Sequence, residues 1–173
     1  MKKFLLTVTI LFFSLSMIYL VRGVVDKSVK NRHLNQNISS LPVFEFMTLE
    51  KEAFRSSDIT EGPVLIVRFH PECDHCRYEL SELFKSNIPD LVSRLILVSG
   101  ARPDSLKKFL GQVDHHEHPN ISVLSDFPDS FRGIFGNDVV PSNYIFNKEL
   151  KLLKVIYGEV KTETLLKYIQ EDE

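Results

Sequence analysis

Cys73-Asp74-His75-Cys76 lies between an unbroken apolar run and a stretch with helical spacing, and few folds accommodate that junction. The run Val64-Leu-Ile-Val-Arg-Phe-His70 follows Gly62-Pro63, as expected of a buried central strand. From Cys76 to Lys85, Leu80, Leu83 and Phe84 recur at helical spacing. The cysteine pair therefore sits where a strand ends and a helix opens. A helix start presents unpaired N–H groups and partial positive charge, which favour a thiolate at Cys73. That thiolate can attack a disulfide, and Cys76 is spaced to resolve the mixed disulfide. A structural disulfide across so short a loop would remove little chain entropy. A closed zinc site needs four ligands, and the chain has no second CxxC.

The rest of the chain predicts strands alternating with helices. Ser93–Ser99 reads as a second buried strand, and Gly100–Asp104 as a turn in which Asp104 caps a helix from Ser105 to about Val113. Ile121–Leu124 is a short strand, and Pro128–Phe135 a helix stopped by Gly136. Ser142–Phe146 and Leu152–Tyr157 form an antiparallel hairpin around Asn147-Lys148-Glu149, and Lys161–Gln170 is a final amphipathic helix. This order gives an α/β fold with a mixed central sheet flanked by helices, preceded by one N-terminal hydrophobic helix.

That N-terminal segment is Met1-Lys2-Lys3 followed by Phe4–Val21, free of charge and proline and closed by Arg22. As a helix its eighteen residues would span roughly 27 Å, near the thickness of a bilayer core. Residues 1–23 are expected to be a membrane anchor with the basic end inside, or a cleaved signal. Either places the rest of the chain outside the cytoplasm. Residues 24–41 are polar and without period, a flexible linker, and residues 42–173 form the folded domain. Setting aside Lys2, Lys3 and Arg22 leaves 18 basic against 23 acidic residues, with no basic patch for nucleic acid.

From Pro42 to Ile169 the chain resembles the thioredoxin superfamily, in particular the membrane-tethered TlpA-like thiol–disulfide oxidoreductases of bacterial envelopes. The resemblance rests on VLIVRF, the CDHC site, Arg77-Tyr78-Glu79, LILVSGARPDSLKKFL, and Val140-Pro141-Ser142 before IFNKELKLLKVIYGEV. It implies a thioredoxin-like fold, Pro141 as a cis proline facing the cysteines, and Glu79 as the carboxylate near Cys76. It also implies protein thiol or disulfide substrates, a membrane or periplasmic redox partner, no cofactor, and an inner-membrane anchor with the domain in the periplasm. Glu72 stands where the family usually has tryptophan, and Val67 replaces a polar residue often found there. No proton relay through position 67 is therefore expected. Glu72 and Asp74 bring negative charge beside Cys73 and favour a reductant. His75, when protonated, opposes them, and disulfide-forming oxidants commonly carry histidine there.

Other readings stay open for several residues. His75 can be a solvated helix-start residue, Pro141 an ordinary loop proline, and Glu79 a first-turn acid suited to the helix dipole. Asp114-His115-His116-Glu117-His118 is dense enough in ligands for zinc or copper, or is a solvated loop ended by Pro119. As a whole the chain is expected to be a reductant, with a disulfide-forming oxidant or a metal-carrying module as the alternatives.

Overall fold

The computed structural model describes residues 38–113 and 118–171, together with Phe12, Ser16, Met17, Tyr19 and Arg22. The chain divides into two units, Met1–Asn37 and Ile38–Glu173. In the first, the five described residues are helical. The apolar run Phe4–Val21 otherwise lies outside the described residues. Among the described residues, no helix is long and apolar enough to cross a membrane.

In the second unit, the apolar runs become strands and the periodic stretches become helices. The strands are β1 (Glu45–Thr48), β2 (Ala53–Arg55), β3 (Val64–Arg68), β4 (Arg94–Ser99), β5 (Ile121–Ser125), β6 (Ser142–Phe146) and β7 (Leu152–Tyr157). The helices are α1 (Asp74–Lys85), α2 (Ile88–Leu91), α3 (Pro103–Leu110), α4 (Phe131–Phe135) and α5 (Thr162–Gln170). The seven strands form one sheet in the order β2-β1-β5-β4-β3-β6-β7. β3, β4 and β5 run parallel, whereas β6 is antiparallel to β3 and β1 to β5. The sheet is mixed, as the sequence predicts.

Every residue of β3 is buried, because the strand is covered on both faces. Leu65, Val67 and Phe69 pack with Cys76, Leu80 and Leu83 of α1, Leu106 and Phe109 of α3, and Leu165 and Ile169 of α5. Val64 and Ile66 face the other way, into a layer with Phe44, Phe46, Tyr144 and the α4 rings of Phe131 and Phe135. A fully buried leucine such as Leu80 or Leu83 contributes on the order of 2 kcal/mol by leaving water. This packing, more than helix propensity, fixes α1 against the sheet.

Local details differ from the sequence expectations in physically simple ways. The α3 helix starts at Pro103 with Arg102 as its N-cap, and no side chain caps it. Asp104 is a first-turn acid instead of the cap, because Pro103 already has the helical φ and no N–H to satisfy. Helix α4 begins only at Phe131. Asp129 has φ 74°, outside the helical region, so no helix can run from Pro128 through it. Gly136 does end α4, in the left-handed conformation at φ 73°. β1, β2 and α2 had no distinct signal. They are short, with Phe44 and Phe46 the buried residues of the first pair's neighbourhood. Ile38 is buried, and Leu41 N–H donates to Leu150 O at 2.8 Å beside the β6–β7 hairpin.

Candidate functional site

Cys73 is the N-cap of α1, with extended backbone at φ −93° and ψ 114°. Its sulfur accepts the Cys76 backbone N–H at 3.1 Å, taking the place that a serine or aspartate oxygen fills in an ordinary cap. The preceding turn is closed by Cys73 N–H donating to His70 O at 3.1 Å and Glu72 N–H to His70 Nδ1 at 3.3 Å. Both cysteines are free thiols, Cys73 half-buried and Cys76 wholly buried. Burial pushes the Cys76 thiol far above the ordinary thiol range, and the neighbouring Cys73 sulfur and Glu79 carboxylate add to the rise. The pair is thus chemically unequal. One sulfur is reachable at a helix start, and the other is a protonated thiol behind it.

Glu79, one turn beyond Cys76, is 1% exposed. Its Oε1 accepts from Asn143 Nδ2 and its Oε2 from Val160 N–H, both at 2.8 Å. Burial raises its carboxyl above the usual carboxylate range, although these two donors pull the other way. Asn143 stands directly across from Val67 in the β3–β6 register. Glu79 and Asn143 thus bring polar groups into this buried layer, while position 67 is apolar.

The Val140–Pro141 bond is cis, as are Gly62–Pro63 and Phe127–Pro128. Pro141 immediately precedes β6, and its carbonyl accepts Gly158 N–H at 2.9 Å. His75, on the exposed side of α1, places Nδ1 2.6 Å from Glu159 Oε2. The structure thus ties Glu79 and His75, both on the cysteine helix, to adjacent residues of the turn after β7. Glu79 is tied as well to β6, two residues past Pro141.

Asn143, Glu159 and the Val160 N–H carried no sequence signal, since each acts through a partner distant in the chain. Arg68 was missed for another reason. An arginine inside VLIVRF is conspicuous, because arginine is rarely buried without partners, yet its partners Asp126, Asp129 and Asp138 are scattered over later loops. Residues Asp114–Glu117 lie outside the described residues. His118 is hydrogen-bonded to Asn120, and its Nε2 lies 3.1 Å from Asp90 Oδ1. Among the described residues, no group of three or more histidine, cysteine or acidic side chains is placed to hold a metal.

No protein-family model matches the chain, and no curated protein matches it in sequence. Solved structures do match in shape. A secreted Mycobacterium tuberculosis disulfide oxidoreductase homologous to E. coli DsbE superposes with TM-score 0.62 at 14% identity, covering 74% of this chain and 95% of that one. A thiol:disulfide interchange protein of the thioredoxin family from Chlorobium tepidum gives TM-score 0.63 at 14% identity, over 78% and 96% of the two chains. A SCO1/SenC family lipoprotein from Bacillus anthracis gives 0.61 at 17% identity, over 78% and 95%. These likenesses establish an α/β protein of the thioredoxin fold. Within that fold, this chain carries its cysteine pair at the start of the helix that follows the central strand.

Proposed function

We propose that this chain is a thiol–disulfide oxidoreductase that exchanges disulfides with protein partners through Cys73 and Cys76. The observation that carries the reading is the inequality of the two sulfurs: Cys73 half-buried at the helix start, Cys76 fully buried behind it. In the reducing direction, the Cys73 thiolate attacks one sulfur of a substrate disulfide and expels the other as a thiolate. Cys76 then loses its proton and attacks the Cys73 sulfur. The second substrate thiolate leaves, and a Cys73–Cys76 disulfide remains. Two electrons pass to the substrate, whose thiolates take up two protons. Glu79, buried and raised in its pKa, receives the Cys76 proton. Pro141 and the backbone beside it receive an extended substrate segment.

The reducing direction is supported by the acids beside the site. Glu72 and Asp74 flank Cys73, and Glu159 lies against His75, offsetting the charge that histidine would bring. Equilibrating the Cys73–Cys76 couple with thiol buffers tests this. A potential near about −270 mV is that of a reductant, and one near about −120 mV that of a disulfide-forming oxidant. Phe4–Val21 serves as the anchor, holding the domain on the periplasmic face of the inner membrane. Retention of the chain in membranes through carbonate washing, with Met1 or Lys2 still present, supports the anchor. A soluble form beginning near Gly23 or Val24 overturns it.

A further inference from the structure

Val67 of β3 packs in the same buried layer as Cys76 and offers it no polar group. Directly across the strand pair stands Asn143 of β6, itself fully buried. Ile145, two residues further along β6, packs into the Cys76 layer, so the strand turns Asn143 to the same face. A buried amide costs free energy unless its polar atoms are held. Here only one end is held. Nδ2 donates to Glu79 Oε1 at 2.8 Å, whereas the buried Oδ1 has no hydrogen-bond partner among the described residues.

The surroundings of Glu79 leave that amide a defined task. Its other oxygen, Oε2, accepts the Val160 N–H at 2.8 Å. Two titratable groups act on it, Cys76 one turn earlier on α1 and Glu159 in the turn after β7. Val67 and Ile145 of the sheet, and Leu165 and Ile169 of α5, contribute only apolar surface to the layer. A carboxylate at position 79 needs donors, and Nδ2 is one. A protonated carboxyl also donates an O–H, and Oδ1 accepts it once the amide turns over about its last side-chain bond. The orphaned oxygen thus finds its partner in the state that follows proton transfer from Cys76.

We propose that Asn143 is a positioning residue for the resolving step: from β6 it supplies the polar contact that Val67 withholds on β3, and it holds Glu79 in place to take the Cys76 proton. This rests on the exchange function proposed above. The two ends of the amide are unequal in effect. A hydrogen bond to an ionised carboxylate is roughly twice as strong as one between neutral groups, so Asn143 on balance favours the charged Glu79.

A chromogenic aryl disulfide, dithiobis(nitrobenzoate), separates the steps of exchange. The Cys73 thiolate displaces one nitrothiobenzoate and retains the other in a mixed disulfide. Cys76 then gives its proton to Glu79 and attacks the Cys73 sulfur. The mixed disulfide breaks, and the second nitrothiobenzoate leaves as a thiolate. The rate of this second release should rise with pH around a midpoint that Glu79→Gln abolishes. Asn143→Leu keeps the volume but removes the amide, and should move the midpoint toward alkali by about one pH unit. In a Glu79→Gln background, Asn143→Leu should leave the profile unmoved. In wild type, the Asn143 side-chain amide signals followed by NMR should change through the same midpoint, and they decide the matter if Asn143→Leu does not fold. A midpoint that survives Glu79→Gln, one unmoved by Asn143→Leu, an equal displacement in both backgrounds, or amide signals indifferent to pH would overturn the proposal. A wild-type protein that releases the first thiolate and never the second would instead overturn the exchange function on which it rests.

Discussion

The Asn143 side-chain amide donates to the Glu79 carboxylate at 2.8 Å, joining the helix that carries the cysteines to the strand that follows Pro141. The bond is buried, so it links two parts of the proposed site in a medium that disfavours charge. Two opposing demands meet at Glu79. Two N–H donors favour the carboxylate, burial favours the neutral acid, and the net effect raises the pKa of the carboxyl.

The stability effect of Glu79→Gln should therefore depend on pH in a defined direction. A carboxyl whose folded pKa lies above its unfolded pKa stabilises the fold most below the unfolded value, and that contribution fades as pH rises through the folded one. Glutamine lacks this titration and, at a position with two donors, turns an NH2 toward one of them. The cost of Glu79→Gln, about 1–3 kcal/mol from the unpaired group, should be largest near pH 4 and shrink toward pH 8. Urea midpoints across that range measure it. A cost that grows with pH would contradict the raised pKa.

The unequal burial of the two sulfurs predicts unequal labelling and trapping. Iodoacetamide should modify Cys73 of the reduced protein at neutral pH and leave Cys76 untouched until unfolding, because Cys76 is buried and its thiol is held protonated. Cys76→Ser should accumulate mixed disulfides with partners, and Cys73→Ser should not. Equal trapping by the two variants would reverse or void the assignment of the nucleophile.

His75 and Glu159 form an exposed pair, the histidine side chain 77% exposed, so its energetic weight is small. Glu159→Gln leaves any positive charge on His75 without its partner. At pH 6 the Cys73–Cys76 potential should become less negative, by no more than about 20 mV. In a His75→Gln background, Glu159→Gln should leave the potential unmoved. A shift of the same size in both backgrounds would mean that Glu159 acts on the cysteines without His75.

How much of this was legible in the sequence follows from the range of each interaction. β3, α1, the β6–β7 hairpin and α5 announce themselves because each carries a compact apolar run or apolar residues at helical spacing over several consecutive residues. Cys73 and Cys76 were legible because their chemistry depends on a local junction. β1 and β2 were not. They span four and three residues, too few for an alternation to stand out, and they exist because β5 offers an edge. Glu79 could be singled out only by its spacing from Cys76. The groups that hold it lie 64 and 81 residues away, and no local pattern points to them. The late start of α4 is a related case: the left-handed Asp129 interrupts a loop whose Asp126 and Asp129 turn to Arg68.

Arg68 offers the sharpest stability test. Removing one member of a buried ion cluster leaves its partners uncompensated, whereas replacing the charge with a well-packed apolar group of similar length does much less harm. Here the partners differ in how they would respond. Asp129 and Asp138 are 42% and 41% exposed and can return to water, and Asp126 keeps its three bonds from Ser130 and Phe131. The Phe131 ring loses a cation over its face but would accept an apolar chain. Arg68→Ala leaves both a charge deficit and a cavity beneath the sheet, and should cost about 3–5 kcal/mol. Arg68→Met fills most of that space and should cost clearly less. Urea unfolding with unchanged m-values ranks the two. If methionine proves as damaging as alanine, space-filling counts for little and the guanidinium contacts carry the loss. If alanine lies within about 1 kcal/mol of wild type, the cluster contributes little to holding the sheet ends together.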